Sequence, residues 1–287
     1  MRKQSLIAAG FIIALASSPA LAPAQHEHEH GEGAKIDTPV VFLDKSPRLV
    51  AYQLGRLSNV QLLMVDRQPT EAKYAPVYEA ILERAKMSAK DRDEAVDALA
   101  KIRKTDRATE LLASIGRLDA KDDKDSAAVL NDLANLLAKS MPAELTTKKA
   151  ALDALLGKAE HPAASEGAAA ALIIAEGNAD AVWSEASKDN ARLAAVVAGL
   201  PRVPDAKLRM QFQSKVASLV KSAPTPELLR SAVAALSAMN GSEIENFALL
   251  AGLIKSGKER TLAVRAMARL PKDSWNKDLA GPVAQSL

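Results

Sequence analysis

The sequence predicts an all-α protein made of stacked antiparallel helix pairs, an α-solenoid. Three observations lead there. Apolar residues make up 48 % of the 287 positions and are dominated by alanine, while aromatic residues make up only 3 %. Alanine is the strongest helix former, whereas strands favour β-branched and aromatic residues. Helix-start and helix-stop signals recur along the chain, with short connections between them. A short pattern of small residues also repeats at intervals close to multiples of one helix pair.

The chain opens with Arg2 and Lys3, then the apolar run "LIAAGFIIALA" from Leu6 to Ala16. That length suits a signal-peptide core and is short for a membrane span. Ala22-Pro23-Ala24 offers small residues for cleavage, so residues 1–24 are expected to direct export to the periplasm or beyond the cell; the alternative is a retained anchor. There is no cysteine, which excludes disulfides, thiolate metal sites, covalently attached c-type haem, lipoprotein anchoring and cysteine nucleophiles. No later segment is apolar enough to span a membrane.

Residues 25–45 are expected to be a polar tail and an extended lead-in. The tail holds "QHEHEHGEG", where His26, His28 and His30 alternate with Glu27 and Glu29, and Glu32 follows. Imidazoles and carboxylates are ligands for Zn²⁺, Cu²⁺ or Ni²⁺. In an extended segment the alternation puts the three histidines on one side. Wrapping a flexible tail round a metal costs conformational entropy, so binding is expected to be weak. A plain polar spacer is the simpler reading. "TPVVFL", Thr38 to Leu43, is expected to lie across the first helices.

From Ser46 onward, to residue 287, the signals are helical. Ser46-Pro47 is a cap followed by proline at the first helical position. Leu49, Val50, Leu54 and Leu57 mark the face behind it. "SNVQ", Ser58 to Gln61, is a capping box. Tyr74, Val77, Tyr78, Ile81 and Leu82 form the next stripe. Ser88 and Asp106 cap helices lined by Ala95, Val96, Leu99 and Ile102, and by Leu111, Leu112, Ile115 and Leu118. "DAKDDKD", Asp119 to Asp125, is a charged loop that lacks the glycine and bidentate glutamate of a calcium-binding loop. Leu130, Leu133, Leu136 and Leu137 lie on a helix that Pro142 is expected to end. Thr225-Pro226 repeats the cap-plus-proline signal. Asn240-Gly241 is expected to close one helix, and Ser242 with Glu245 to box the start of another.

The repeated pattern is Ala, an aliphatic residue or Ala, any residue, Ala, then Leu or Met. It occurs at Ala95, Ala151, Ala168, Ala232 and Ala263, with spacings of 56, 17, 64 and 31. Thirty-one residues is one helix–turn–helix unit, and the other spacings are near two units or half of one. Each such pair leaves an apolar flank that only the next pair can cover.

Two stretches carry a family resemblance: "DKSPRLVAYQLGRLSNVQLLMV", Asp44 to Val65, and Lys73 to Asp119, from "KYAPVYEAILERAK" through "LLASIGRLD". They resemble the HEAT-like region of large secreted bacterial proteins. The resemblance implies a right-handed α-solenoid of HEAT-like antiparallel helix pairs, in a family whose members usually carry a c-type haem domain or a plastocyanin-like copper domain. This chain has no CxxCH and no copper-ligand cysteine, and it ends at Leu287 where the family continues. The expectation is a stand-alone scaffold, or one split from a redox partner.

No enzyme is predicted. His161 is the one histidine outside the tail and precedes Pro162, where it is expected to flank a helix start; a Ser-His-Asp hydrolase is therefore disfavoured. Glu94 and Asp97 are read as solvated surface. There is no dinucleotide fingerprint and no phosphate-binding lysine loop. Trp183 and Trp275 are assigned to helix junctions, and Tyr52, Tyr74 and Tyr78 to the core or a groove edge. Charge is uneven. Residues 25–190 hold 22 Lys and Arg against 28 Asp and Glu, and residues 191–287 hold 14 against 7. The C-terminal third is thus the better candidate for an acidic partner, and an ordinary solvated surface is the simpler reading. Nucleic acid is not expected, because no basic cluster is interleaved with aromatics. The function expected is protein binding by an exported scaffold, its partner another extracytoplasmic protein such as a haem or copper electron-transfer protein. The alternative is an accessory metal-binding factor that uses His26, His28 and His30.

Overall fold

The computed structural model describes residues 38–276 together with 278, 279 and 281. Residues 1–24 and the His/Glu tail lie outside the described residues. Backbone contacts divide the chain between Asp37 and Thr38, and all of the described residues belong to the second unit. Within it, Val41 and Leu43 turn toward the core while Val40 and Phe42 face outward, the alternation of an extended segment. The Phe42 N–H donates to Gln53 Oε1 at 3.0 Å and ties the lead-in to the first helix.

Among the described residues the regular structure is helical, with sixteen α-helices and no strand. The first four are α1 Pro47–Arg56, α2 Asn59–Met64, α3 Ala75–Glu83 and α4 Ala89–Arg103. Then come α5 Arg107–Asp119, α6 Lys124–Leu137, α7 Pro142–Thr147, α8 Lys149–Lys158 and α9 Pro162–Glu176. The remainder are α10 Ala179–Ala186, α11 Asn190–Gly199, α12 Ala206–Met210, α13 Gln213–Ser222, α14 Pro226–Leu236, α15 Glu243–Ser256 and α16 Arg260–Met267.

Local chemistry starts most of these helices. Ser58 and Gln61 form the capping box reciprocally, with N–H···O distances of 3.0 and 3.2 Å. Asp106 accepts from the Thr109 N–H at 2.7 Å, and Thr225 from the Leu228 N–H at 3.2 Å. Each such cap stabilises its helix by about 1 kcal/mol. Three expectations are corrected. Pro142 does not end α6, which stops at Leu137; it opens α7, where a missing N–H costs nothing. Ser242 makes no side-chain cap. Glu243 Oε1 takes the Gly241 N–H at 2.8 Å, and no hydrogen bond joins Glu245 to the Ser242 N–H. Asn240-Gly241 does not close α14, which ends at Leu236; Gly241 supplies a left-handed turn (φ +98°) in the connection.

Helices pack as consecutive pairs: α3 with α4, α5 with α6, α8 with α9, α10 with α11, α13 with α14, and α15 with α16. The second helices also touch one another in sequence, α6 on α9, α9 on α11, α11 on α14 and α14 on α16. First helices meet at α3–α5, α5–α8 and α13–α15. Four of the five repeated segments, those at Ala95, Ala168, Ala232 and Ala263, fall on second helices; the one at Ala151 falls on α8, the first helix of its pair.

Small residues set the closeness of the middle of this row. A Cβ added at Gly167 of α9 would lie 2.6 Å from the Ala134 Cβ of α6. One added at Gly199 of α11 would lie 2.6 Å from the Glu166 carbonyl oxygen of α9. Ala164 and Ala168 to Ala171 are fully buried, so α9 is covered on several sides by α6, α7, α8, α10 and α11. A helix apolar all round is a buried helix.

Candidate functional site

The tail residues His26, His28, His30, Glu27, Glu29 and Glu32 lie outside the described residues. Among the described residues, no three His, Asp or Glu side chains are gathered as a metal ion would require. His161 is the N-cap residue of α9, as its position before Pro162 predicts. Its Nδ1 stands 3.1 Å from the Asp119 carbonyl oxygen and 3.2 Å from Asp119 Oδ1. The Asp119 carboxylate also accepts the backbone N–H groups of Glu160 and His161, at 3.0 and 2.8 Å. The pair thus ties the end of α5 to the α8–α9 connection, and no hydroxyl or thiol stands next to the imidazole in that set of bonds. In the same charged loop, Asp123 caps α6, taking the Ser126 N–H and hydroxyl at 2.7 Å each.

The aromatic residues divide. Trp183 packs on Phe212 (ring centres 6.3 Å apart) and Trp275 on Phe247 (5.7 Å), both between helices. Tyr74 and Tyr78 are buried. Tyr52 is not at a core or groove position: it is 59 % exposed, and its hydroxyl accepts from Arg56 at 3.1 Å. Leu49 of the same helix is also exposed, so α1 buries a narrower face, Val50 and Leu54, than its leucines suggest.

Three of the concavities among the described residues exceed about 300 Å³. One of about 620 Å³ lies beside α4 and is edged by Arg67, Tyr78, Asp91, Glu94 and Asp97. Glu94 and Asp97 are exposed there, and each has a cation: Lys90 for Glu94 at 3.7 Å, Arg107 for Asp97. A second, of about 630 Å³, lies between α1, α3 and the α5–α6 loop. A third, of about 400 Å³, lies where the α6–α7 connection, the end of α9 and α12 meet. Ser140, Ile174, Leu208 and Gln211 line it, and the buried Ser140 hydroxyl has no hydrogen-bond partner. None of the three brings a nucleophile to a base.

Nothing among known proteins matches: no family model, no curated protein and no solved structure.

What distinguishes the surface is the placement of charge. In the N-terminal pairs several arginines are engaged by carboxylates of neighbouring helices, while Lys86, Lys101, Lys104, Lys121 and Lys124 are exposed and make no ion pair among the described residues. Arg103 bridges Glu79 at 2.5 Å and Glu110 at 2.6 Å, while Arg117 meets Glu83 at 2.5 Å. Burial works against the Arg103 charge, but the two carboxylates outweigh it and raise its pKa. Arg92 is fully buried: it donates to the Leu82 carbonyl and to the Arg84 carbonyl (2.7 Å), and it stands 3.4 Å from Asp132. Burial lowers its pKa, and Asp132 opposes that. Farther on, Arg192 pairs with Asp153, Arg202 with Glu166 (2.7 Å) and Lys215 with Asp180 (2.7 Å), each across two helix pairs. Past α14 the pattern stops. Arg265, Arg269 and Lys272 are exposed and make no ion pair or side-chain hydrogen bond among the described residues. Sequence counting found the basic C-terminal third, but not which cations are engaged, because pairing depends on neighbours far along the chain.

Proposed function

We propose that this chain is an exported, non-enzymatic helical-repeat protein, an α-solenoid that holds another extracytoplasmic protein on its surface. The observation that supports it most is the run of second helices, α6, α9, α11, α14 and α16, each packed on the next. An array in which each pair covers only its neighbours presents a long preformed surface, and a preformed surface loses little entropy on binding. The HEAT-like resemblance of Asp44 to Val65 and Lys73 to Asp119 and the signal-like residues 1–24 belong to the same reading. So does a haem or copper electron-transfer protein as partner. In-cell cross-linking from exposed positions on α11 and α16 tests it. The expected result is one dominant protein adduct in the extracytoplasmic fraction. Retention of the chain in the cytoplasm, or adducts no different from those of an unrelated exported helical protein, would contradict it.

A second reading, accessory metal binding, is favoured by the alternation of His26, His28 and His30 with glutamate. Calorimetric titration with Cu²⁺ and Zn²⁺, with and without residues 25–33, separates the two. A sub-micromolar site lost on deletion supports the metal role, and its absence leaves the scaffold.

A further inference from the structure

We propose that the outer face of α16 and the turn after it is a docking site for an acidic, extended protein segment. The inference rests on the scaffold reading and names the chemistry of its partner. Thr261, Arg265, Ala268, Arg269 and Lys272 are all exposed, while Ala263, Ala266, Met267 and Leu270 between them are buried. Thr261, Arg265, Ala268 and Arg269 follow the spacing i, i+4, i+7, i+8, which is one stripe of a helix. Turn bonds follow Met267, with Arg269 and Leu270 donating to the carbonyls three residues back, Ala266 and Met267, at 3.1 and 3.0 Å, and Lys272 lies beyond the extended Pro271.

The stripe holds two cations and no carboxylate; Lys272 and the exposed Asp273 follow in the turn beyond it. Arg265 and Arg269 stand four residues apart, a like-charge spacing that disfavours an isolated helix. Several arginines elsewhere are neutralised within the fold, Arg192 by Asp153, Arg202 by Glu166, Arg230 by Glu227 and Glu259, whereas Lys101, Lys104 and Arg260, like the two arginines here, make no ion pair among the described residues. Here the fold leaves the neutralising charge to come from outside.

The geometry favours an extended acidic peptide. Arg265 and Arg269 are separated by about 6 Å along the helix axis. Side chains on one face of an extended chain recur roughly every 6.5–7 Å. Two carboxylates at alternate positions can therefore each meet one guanidinium, and Arg binds carboxylate through paired N–H groups. Ala268 lies between them and lets a main chain come close. A membrane surface fits less well, because binding one needs bulky apolar side chains beside the cations, and the stripe offers only a threonine and an alanine. Nucleic acid fits less well because no aromatic side chain interrupts the stripe. Trp275, the nearest in sequence, is packed on Phe247 and donates to the Leu270 carbonyl at 3.4 Å.

Fluorescence anisotropy on the full chain tests this, with a labelled decapeptide of alternating Glu and Ser as probe. The pair R265Q/R269Q is expected to weaken binding about tenfold, as two exposed ion pairs would. R265K/R269K should recover part of it, and K86Q/K121Q, far along the chain, should change nothing. Added salt should weaken the wild-type complex and leave R265Q/R269Q nearly unaffected. Unchanged helix content by circular dichroism ties any loss to the face. Equal binding by wild type and R265Q/R269Q would overturn the proposal. So would tighter binding of phosphatidylglycerol vesicles or duplex DNA through the same two arginines. A protein cross-linked in cells by wild type and R265Q/R269Q alike would overturn it while leaving the scaffold reading intact.

Discussion

Helices α4 and α9 are both fifteen residues long and both are second in their pairs, yet they are held by different physics. In α4 the buried side is Ala95, Val96, Ala98 and Leu99 with one guanidinium, Arg92, and the other side carries Asp93, Glu94 and Asp97. A helix so charged can bury only one flank, and it packs mainly on α3 and α5. In α9 the interior is alanine, one glycine, Leu172 and Ile173, and five helices reach it. Burial in α4 rests on Val96, Leu99, two alanines and a buried hydrogen-bonded cation. Burial in α9 rests on small atoms at short range. The first kind tolerates changes in backbone spacing; the second does not.

Arg92→Ala should show the largest effect on the α4 side. It leaves the Leu82 and Arg84 carbonyls without a donor and opens a void, at a cost of about 3 kcal/mol in urea unfolding. Arg92→Met keeps the volume and should lie between the two. A loss below about 1 kcal/mol for Arg92→Ala would mean the guanidinium is no part of the core. On the α9 side, Gly199→Ala should cost about 1–3 kcal/mol, because the atom met is main-chain oxygen and cannot swing away. Gly167→Ala meets Ala134 and should behave alike.

The cap of α5 sharpens the comparison through pH. The Asp106 pKa lies below its ordinary value of 3.8: burial pushes it up, but the Thr109 N–H and hydroxyl and the Lys148 ammonium more than offset this. A carboxylate with a lowered folded pKa contributes stability that is present above its unfolded value. That stability is lost as pH falls through the folded one. Asp106→Ala should therefore cost about 1 kcal/mol at pH 7, and the gap to wild type should narrow as pH falls below 3.8 and through the lowered folded value. A gap independent of pH would show that the charge does not matter there.

The smallest effect has the opposite sign. Gly252 in α15 and Gly116 in α5 would meet nothing within 4 Å if given a Cβ. Ala at either should stabilise by about 0.5–1 kcal/mol. Gly252→Ala beside Gly199→Ala thus separates glycine tolerated in a helix from glycine demanded by a neighbour.

These contrasts mark how far the sequence could be read. Caps made by Ser58, Asp106 and Thr225 are decided within three residues, and so were visible. Leucine stripes from Val77 to Leu137 were visible because their period is the helix's own. Arg92 was not, since "KDRDE" reads as a solvated face until α3 presents its carbonyls. Gly167 and Gly199 look like ordinary helix glycines until α6, α9 and α11 are brought together. Ser242 has the composition of a capping box, but its side chain makes no cap bond, and the carboxylate that bonds the turn is that of Glu243, to the Gly241 N–H. On the surface, the basic bias was legible from counting alone. That Arg265 and Arg269 share one face without an ion pair appeared only in the structure, where Asp153, Glu166 and Asp180 are taken by other cations.

The central claim is that helix pairs depend on their neighbours in the row and little on distant ones. Native-state hydrogen exchange on Gly199→Ala, compared with wild type, tests it helix by helix. The account predicts faster exchange in α9, α11 and α14, with α3 and α4 unchanged. Equal acceleration from α3 through α16 would reveal one undivided core and contradict it.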